Sequence, residues 1–321
     1  MAIKQTKIAI VGAGNVGAST AYNLMIQGLC NEIVLIDINK KKAHCEALDL
    51  QHGVEYLNRE VKVYDGEYSD CKDADIIVIT AAVPMVQGQT RLDMVESASK
   101  IVKSIVPPIM ESGFSGHFII ITNPVDVMSY YVYKLSGLPK NQIIGTGTSL
   151  DSARLKLRIA DIFNVDTKSV QGYTIGEHGD SQIVPWSHVT VGGKSLNDIL
   201  ADNKGRFGEL DFEELRKLTI DDGWVIARGK GTTNYGIAAT TVGIIKAMVN
   251  NENRIIPVST YLDGEYGEKD VFAGVPVVLN ATGVKEIVEL HITEDERKLF
   301  KNSVSVIRDC IDKISDDTIR K

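Results

Sequence analysis

The chain has 321 residues, of which 24% are charged and 44% are hydrophobic, and its formal net charge at pH 7 is −7. This composition is ordinary for a globular protein of about two domains, and it excludes a disordered chain, a collagen-like repeat and a disulfide-rich mini-protein. The negative charge gives no electrostatic reason to expect nucleic acid as a partner, and the longest apolar runs have strand length rather than membrane-spanning length.

The first part of the chain alternates short apolar runs with helical segments. Strands are predicted over residues 7–11, 33–36, 61–64, 75–80 and 117–122, and helices over residues 12–27, 39–52 and 92–112. The strands are continuously apolar, which is typical of a parallel sheet with both faces covered. This β-α-β repetition predicts a doubly wound Rossmann domain over residues 1–148.

The rhythm changes after residue 148. A helix over 150–163 is followed by a predicted hairpin with its turn at Gly192-Gly193, a polar loop over 198–210, and a helical stretch over 212–248 interrupted near 229–231. Residues 255–262, 272–279 and 287–292 predict antiparallel strands. A final helix begins at Thr293, where Glu296 completes a capping box. We therefore predict an α+β catalytic domain with antiparallel strands over residues 149–321.

The N-terminal sequence and the cysteines bear on localisation. Met1 leads almost directly into a strand-like run, without the pattern of a signal peptide. The cysteines stand far apart, at positions 30, 45, 71 and 310, and form no C-x-x-C pair. Such spacing fits reduced thiols better than a disulfide framework. We expect a cytoplasmic protein without a membrane partner.

A glycine-rich motif, Gly12-x-Gly14-x-x-Gly17, lies between the first predicted strand and its helix. Its glycines permit a tight turn, the approach of a pyrophosphate and close packing of helix on strand. Asp37 stands twenty residues after Gly17, at the end of the second predicted strand. A carboxylate there accepts hydrogen bonds from a ribose and repels a 2′-phosphate, so the motif predicts NAD rather than NADP as cofactor.

Candidate catalytic residues lie in the predicted second domain. Asp151 and Arg154 are three residues apart and share a helix face, and His178 lies in the run Ile175-Gly-Glu-His-Gly-Asp180. A carboxylate can fix a histidine tautomer, and a guanidinium can bind a substrate carboxylate in a fork. The other histidines are interpreted as structural. Glu286, Glu289 and His291 are candidate metal ligands. Alternation along a strand with an exposed face explains these polar residues more simply, so no metal site is expected.

The combination of motifs resembles the NAD-dependent L-lactate/malate dehydrogenase family, and more closely its lactate dehydrogenase branch. The matching runs are residues 12–17, 88–93, 121–126, 145–154, 175–181 and 230–236, in the same order as in the family. The resemblance covers the chain from Lys7 to the C-terminal helix. It implies an NAD-dependent oxidoreductase that interconverts an L-2-hydroxy acid and its 2-oxo acid, with lactate and pyruvate as the first expectation.

The resemblance also implies residue roles. His178 would be the acid/base, oriented by Asp151, while Arg154 would bind the substrate carboxylate and Arg91 would polarise the carbonyl. The remaining expected substrate contacts are Met85, Asn123 and Thr233. The remaining expected cofactor contacts are Val16, Ala82, Thr122, Asn123 and Ile237, in addition to the glycines and Asp37.

The sequence departs from the family pattern at the position that sets substrate choice. Met85 stands where lactate dehydrogenases commonly have glutamine and malate dehydrogenases have arginine. Without a cation there, a second substrate carboxylate would be buried unpaired, which disfavours malate. A flexible thioether presents an apolar wall, so larger apolar 2-oxo acids could be tolerated beside pyruvate. The alternatives are therefore an L-2-hydroxyisocaproate-type or a malate dehydrogenase and, more distantly, a non-catalytic dinucleotide-binding protein.

A second departure concerns regulation. Many bacterial relatives bind fructose 1,6-bisphosphate through an arginine and a histidine, and Lys156 and Gln171 stand at these positions here. A lysine keeps the charge but not the fork geometry, so we expect weak binding or none. The family is usually tetrameric and sometimes dimeric, which implies a homotetramer, with a dimer as the alternative.

Overall fold

The computed structural model describes residues 6–82, 91–207 and 209–316, and the side chains of these residues except 91–93. Its N-terminal half contains the predicted parallel strands β1 to β5 and a further strand, β6, in the spatial order β3-β2-β1-β4-β5-β6. The strands are β1 (Lys7–Val11), β2 (Glu32–Ile36), β3 (Lys62–Asp65), β4 (Ile76–Ile79), β5 (His117–Ile120) and β6 (Ile143–Gly145). The connecting helices are α1 (Asn15–Gln27), α2 (Lys40–His52), α3 (Arg91–Glu111) and α4 (Val125–Ser136). The predicted Rossmann fold is confirmed.

Local sequence signals explain the ends of the first helices. Gly28 follows α1 with a φ of 63°, and its N–H donates to carbonyls of the last helical turn. Asn39 caps α2 by accepting a hydrogen bond from the N–H of Lys42. Both boundaries agree with the prediction because they depend on residues that are neighbours in the chain.

The prediction missed α4 and β6. Residues 125–132 of α4 are all buried, and they include the polar residues Asp126 and Ser129, so burial there does not follow the polarity of the sequence. The β6 strand has only three residues. Both elements carry parts of the candidate site, because β6 leads into the next helix and α4 contributes Asp126.

The C-terminal half extends the same sheet. The antiparallel strands β10 (Arg254–Asp263), β11 (Lys269–Asn280) and β12 (Gly283–Ile287) continue it beyond β6. A smaller sheet contains β7 (Val170–Gln171), β8 (Thr190–Val191) and β9 (Lys194–Ser195), which confirms the predicted hairpin at Gly192-Gly193. The helices are α5 (Ser149–Phe163), α6 (Leu196–Asp202), α7 (Lys204–Phe207), α8 (Phe212–Lys230), α9 (Tyr235–Val249) and α10 (Glu294–Ile311).

Two predictions in this half are wrong. Residues 198–210 lie partly in α6 and α7 instead of a loop, because Ser195 caps α6 and Phe207 packs on Phe163 with ring centroids 4.5 Å apart. The third antiparallel strand is β12, which ends at Ile287 instead of spanning 287–292. Beyond it the N–H of Val288 still donates to the carbonyl of Pro276 on β11, whereas the N–H of Leu290 donates to the hydroxyl of Tyr266, so the chain leaves the ladder after residue 288.

The last helix agrees with its prediction. Thr293 and Glu296 form the capping box at the start of α10. The predicted apolar stripe of Phe300, Val304, Ile307, Ile311 and Ile314 is buried. The helix packs on β11 and α4, so it lies against the elements that support the candidate site. Among the described helices, none combines the length and the apolar character that crossing a bilayer requires.

Candidate active site

The glycine loop after β1 is shaped for a close ligand. Gly12 has a φ of 111°, and a Cβ there would lie 2.6 Å from Thr80 Oγ1. A Cβ on Gly17 would lie 1.9 Å from the carbonyl oxygen of Gly12, so the loop and helix can approach only without one. At Gly14, by contrast, no described atom lies within 4 Å of the position of a Cβ. The open side of the loop is therefore at its middle glycine, where a pyrophosphate would approach.

Two further features favour a dinucleotide at this loop. Gly14 is the residue before the first turn of α1, and no described side chain caps that turn. Its N–H groups and the helix dipole favour an anion there. Asp37 accepts hydrogen bonds from the N–H of Ala13 (2.7 Å) and of Asn39 (2.8 Å), one on each carboxylate oxygen. Each oxygen keeps a second acceptor site for a ribose hydroxyl, and the residues present fit NAD.

The predicted cofactor residues lie at one edge of the sheet. The glycine loop follows β1, Asp37 follows β2, Ala82 follows β4, and Thr122 and Asn123 follow β5. Ligands of open parallel sheets bind outside the carboxyl ends of the strands. Thr122 is buried and its hydroxyl donates to the carbonyl of Ala81 at 2.8 Å, which ties the ends of β4 and β5 together. Val16 is half-buried, whereas Ala82 and Asn123 are exposed.

The structure brings the predicted imidazole, carboxylate and guanidinium together. Asp151 and Arg154 lie on α5, which begins after β6 and the turn at Gly147. His178 Nδ1 lies 2.6 Å from Asp151 Oδ2, and Arg154 Nη1 donates to Asp151 Oδ1 at 3.1 Å. The Asp151 side chain is 2% exposed, while those of Arg154 and His178 are 13% and 27% exposed. The carboxylate is thus buried between a guanidinium and an imidazole that both reach solvent.

The charges at this cluster favour a protonated imidazole. Burial alone lowers the pKa of His178, but the neighbouring carboxylates, Asp151 first and then Asp126, outweigh burial and raise it to about 9. Burial alone raises the pKa of Asp151, but His178 and Arg154 hold it below its usual value. The ground state is therefore an imidazolium paired with a carboxylate, which is an acid ready to give a proton.

A second buried carboxylate supports the same histidine and was not predicted. Asp126 Oδ2 accepts a hydrogen bond from the N–H of His178 at 2.8 Å, and its Oδ1 accepts one from the hydroxyl of Ser259 at 2.6 Å. Burial raises the pKa of Asp126 to about 6, although both hydrogen bonds act in the opposite direction. The sequence contained a signal, because Asp126 closes the motif 121–126, but nothing in that motif indicates that it faces residue 178.

The segment between α8 and α9 joins the cofactor side to the catalytic side. Asn234 Nδ2 donates to Ser19 Oγ on α1 at 2.8 Å. A Cβ on Gly236 would lie 3.1 Å from Leu150 on α5, and one on Gly223 of α8 would lie 3.3 Å from Arg154 Nη1. The predicted residue Thr233 lies in this segment and Ile237 lies in the first turn of α9, and both are half-buried. Their chain neighbours Asn234 and Gly236 make the contacts with α1 and α5.

The remaining predicted residues are described in part. Met85 lies outside the described residues, and Arg91 is described only as the backbone start of α3. Lys156 is half-buried on α5, where burial and then the like charge of Arg254 lower its pKa. Gln171 is exposed at the end of β7.

The fold and these sites define a class of protein. A Rossmann sheet with a glycine loop and a ribose-binding acid is the framework of oxidoreductases that use a nicotinamide dinucleotide. The chain belongs to the lactate/malate dehydrogenase family. The family's NAD binding domain matches residues 6–145, and its alpha/beta C-terminal domain matches residues 148–318. The cofactor is therefore NAD.

Several relatives are similar over nearly the whole chain. L-lactate dehydrogenase 3 of Bacillus anthracis is 51% identical over 94% of this chain and 96% of its own length. L-lactate dehydrogenase 2 of the same organism is 47% identical over the same shares. Among solved structures, the minor L-lactate dehydrogenase of Enterococcus mundtii in its ligand-bound form has a TM-score of 0.93 and 44% identity, and covers 96% of this chain and 98% of its own.

Proposed function

We propose that the chain is an NAD-dependent L-lactate dehydrogenase, which reduces pyruvate to L-lactate and catalyses the reverse reaction. The observation that carries the proposal is the contact of His178 Nδ1 with Asp151 Oδ2 at 2.6 Å, beside Arg154. The relatives named L-lactate dehydrogenase, at about half identity over 94% of the chain, support the choice of reaction.

The proposed chemistry assigns one task to each group. Bound NADH supplies the hydride for the 2-oxo carbon. Because Asp151 engages Nδ1 of His178, the proton passes from Nε2 to the ketone oxygen. In the reverse reaction the hydroxyl proton returns to Nε2. Asp151 stabilises the imidazolium form before the transfer. Arg154 binds the substrate carboxylate through N–H groups other than the one it donates to Asp151.

Other residues complete the proposed site. Arg91, at the start of α3, polarises the carbonyl, and Asn123 hydrogen-bonds near the reacting oxygen. Thr233 lines the substrate pocket, and Ile237 packs on the nicotinamide ring. The glycine loop with Val16 holds the pyrophosphate and Asp37 holds the ribose. Ala82, Thr122 and Asn123 contact the cofactor at the ends of β4 and β5.

The same proposal covers substrate breadth. The position that sets substrate choice is Met85, which carries no positive charge. Pyruvate and larger apolar 2-oxo acids are therefore the proposed substrates, and oxaloacetate is a poor one. We place the reaction at the fermentative end of glycolysis, in the cytoplasm. The proposed unit is a Rossmann domain over residues 1–148 followed by a catalytic domain over 149–321.

We further propose a homotetramer, with a dimer as the alternative, and little or no activation by fructose 1,6-bisphosphate. Exposed apolar side chains on α1, α8 and the start of α9 support association of copies: Tyr22, Ile26, Trp224, Val225 and Tyr235. For the sugar bisphosphate, Lys156 is half-buried beside another cation and its pKa is lowered, and Gln171 brings no charge.

A spectrophotometric assay of NADH oxidation tests the reaction. We expect turnover of pyruvate and 2-oxoisocaproate at rates far above those with oxaloacetate. Preference for oxaloacetate would contradict the proposed substrate class. NADH binding without turnover of any 2-oxo acid would favour the non-catalytic alternative.

Replacement of the proposed acid/base gives the matching variant test. We expect His178→Asn to lower kcat by about 10²- to 10⁴-fold, the usual contribution of a general acid. NADH affinity, measured by fluorescence titration, should stay near that of the unchanged protein because the glycine loop is untouched. Retention of most of the activity would remove His178 from the proposed role.

A further inference from the structure

The backbone that carries His178 is held by three elements that are distant in the sequence. Three consecutive N–H groups each donate to an acceptor on a different element, at 2.8 Å in every case: Gly176 to the carbonyl of Gly274 on β11, Glu177 to Ser303 Oγ on α10, and His178 to Asp126 Oδ2 on α4. The side chain of His178 then contacts Asp151 on α5. The C-terminal helix thus makes a direct contact one residue before the imidazole.

Ser303 is fully buried at this contact, with 0% of its surface exposed. Gly176 lies against it with a φ of 94°, and a Cβ there would lie 2.4 Å from Ser303 Oγ. The helix and the loop therefore approach more closely than any other residue at 176 would permit. So close an approach lets a hydroxyl as short as that of serine reach the loop backbone.

The hydrogen atoms at this contact can be assigned. The hydroxyl of Ser181 donates to Glu177 Oε2, so the single proton of Ser181 is already used. Ser181 Oγ and Ser303 Oγ lie 3.0 Å apart, and the proton of that bond must then come from Ser303. Ser303 therefore donates to Ser181 and accepts from the N–H of Glu177. The three residues form a closed ring of hydrogen bonds immediately before His178.

Helix α10 is a firm support for this ring. Its buried stripe packs on β11 and α4. The capping residue Glu296 also accepts hydrogen bonds from Ser187, and Arg308 donates to Glu268 at 2.8 Å near the other end. Ser303 lies between these two attachments, so the part of the helix that carries its hydroxyl is fixed on both sides.

We propose that Ser303 is a positioning residue, which sets the orientation of His178 through the N–H of Glu177. The proposal rests on the function proposed above for His178. Removing the hydroxyl leaves the N–H of Glu177 without its acceptor, which costs free energy. We expect the backbone at residue 177 to move so that this N–H finds another acceptor. Movement at residue 177 lengthens the contact of His178 with Asp151, which weakens the stabilisation of the imidazolium.

The test compares Ser303→Ala with Ser305→Ala, a matched control on the exposed face of the same helix. We expect Ser303→Ala to lower kcat for pyruvate by about tenfold. This is the change in rate that corresponds to the free-energy cost of one unsatisfied polar group. The NADH dissociation constant should not change. The midpoint of His178 protonation, followed by NMR of histidine-labelled protein without cofactor, should fall below that of the unchanged protein. Ser305→Ala should match the unchanged protein in all three measurements.

Ser303→Thr keeps the oxygen atom and should recover both kcat and the His178 midpoint. An equal loss in the threonine and alanine variants would assign the effect to packing and overturn the proposal. So would a folded Ser303→Ala with unchanged kcat and midpoint, whatever its melting temperature.

If Ser303→Ala does not fold, Ser181→Ala opens the same ring from the loop side. It should lower the His178 midpoint to a smaller extent, and an unchanged midpoint would overturn the proposal. The NMR titration needs no turnover, so failure of the unchanged protein to reduce any 2-oxo acid would count against the proposed function alone.

Discussion

The glycine loop and the loop of His178 both hold groups in position for a ligand, but different kinds of contact fix the two loops. The glycine loop consists of six neighbouring residues, and its distant hydrogen bonds come from the two strands beside β1: the N–H groups of Gly12 and Ala13 donate to Ile36 and Asp37, and the hydroxyl of Thr80 donates to the carbonyl of Gly12. The loop of His178 has hydrogen bonds of its own, between Ile175 and Ile183 and from Ser181 to Glu177, and is in addition held by β11, α10, α4 and α5. A backbone cradle can be encoded locally, whereas a side chain placed for proton transfer requires several elements to converge.

The largest effect is expected for Asp151→Asn, a variant that changes the charge beside His178 and leaves the glycine loop unchanged. Asp151→Asn removes the carboxylate that raises the pKa of His178 but leaves its burial, which lowers it. We expect kcat for pyruvate reduction at neutral pH to fall by about 10²-fold or more, because the histidine is then mostly neutral. Loss of NADH binding in this variant would contradict the separation of the two regions.

The pH dependence of the unchanged protein follows from the same shift. Reduction requires a protonated His178, so kcat/KM for pyruvate should be level at low pH and fall as pH rises through about 9. Oxidation of lactate requires the neutral form and should rise through the same range. In Asp151→Asn both midpoints should move to lower pH, and unmoved midpoints would assign them to another group.

A pair of glycine variants sharpens the comparison from the cofactor side. In Gly17→Ala the new Cβ meets the carbonyl of Gly12, so we expect a loss of about 1–3 kcal/mol in the free energy of unfolding, as for other overpacked sites. Gly14→Ala meets no described atom within 4 Å and should keep its melting temperature while NADH binds more weakly. Equal melting temperatures for the two variants would contradict the assigned roles of the glycines.

The smallest expected effect concerns cofactor choice. Asp37→Asn keeps an acceptor for the N–H of Ala13 but removes the charge that repels a 2′-phosphate. We expect the preference for NADH over NADPH, as the ratio of kcat/KM values, to fall by about tenfold, since one charged hydrogen bond is involved. A ratio equal to that of the unchanged protein would show that other residues exclude NADPH.

The prediction was correct where a boundary depends on residues close in the chain and wrong where it depends on tertiary packing. The end of α1 and the starts of α2 and α10 were predicted correctly, because Gly28, Asn39 and Thr293 act on their own helix. The α4 helix was missed, and the burial of residues 125–132, which include Asp126 and Ser129, does not follow the polarity of its sequence. The error at 287–292 also has a tertiary origin, since the alternation of apolar and polar residues there does not reveal whether the segment pairs in a sheet or packs against Tyr266.

Within the candidate site, resemblance supplied Asp151, Arg154 and His178, and the structure places Asp151 within hydrogen-bond distance of both Arg154 and His178. Asp126, Ser259 and Ser303 were not predicted. Aspartate and serine are common in every role, and nothing in their spacing indicates contact with the loop of residue 178. Only a residue type with few ordinary uses, or a motif with local geometry, can be recognised before the chain is folded.

The sequence by itself determined the alternation of strands and helices, the glycine cradle and the acid that follows β2, because these depend on backbone conformation and on residues close in the chain. The tertiary structure decided which buried groups surround the imidazole and how strongly it holds its proton. The pKa of His178 depends on distances to carboxylates 27 and 52 residues away in the chain. Coulomb interactions in a buried site change steeply with such distances, and packing alone sets them.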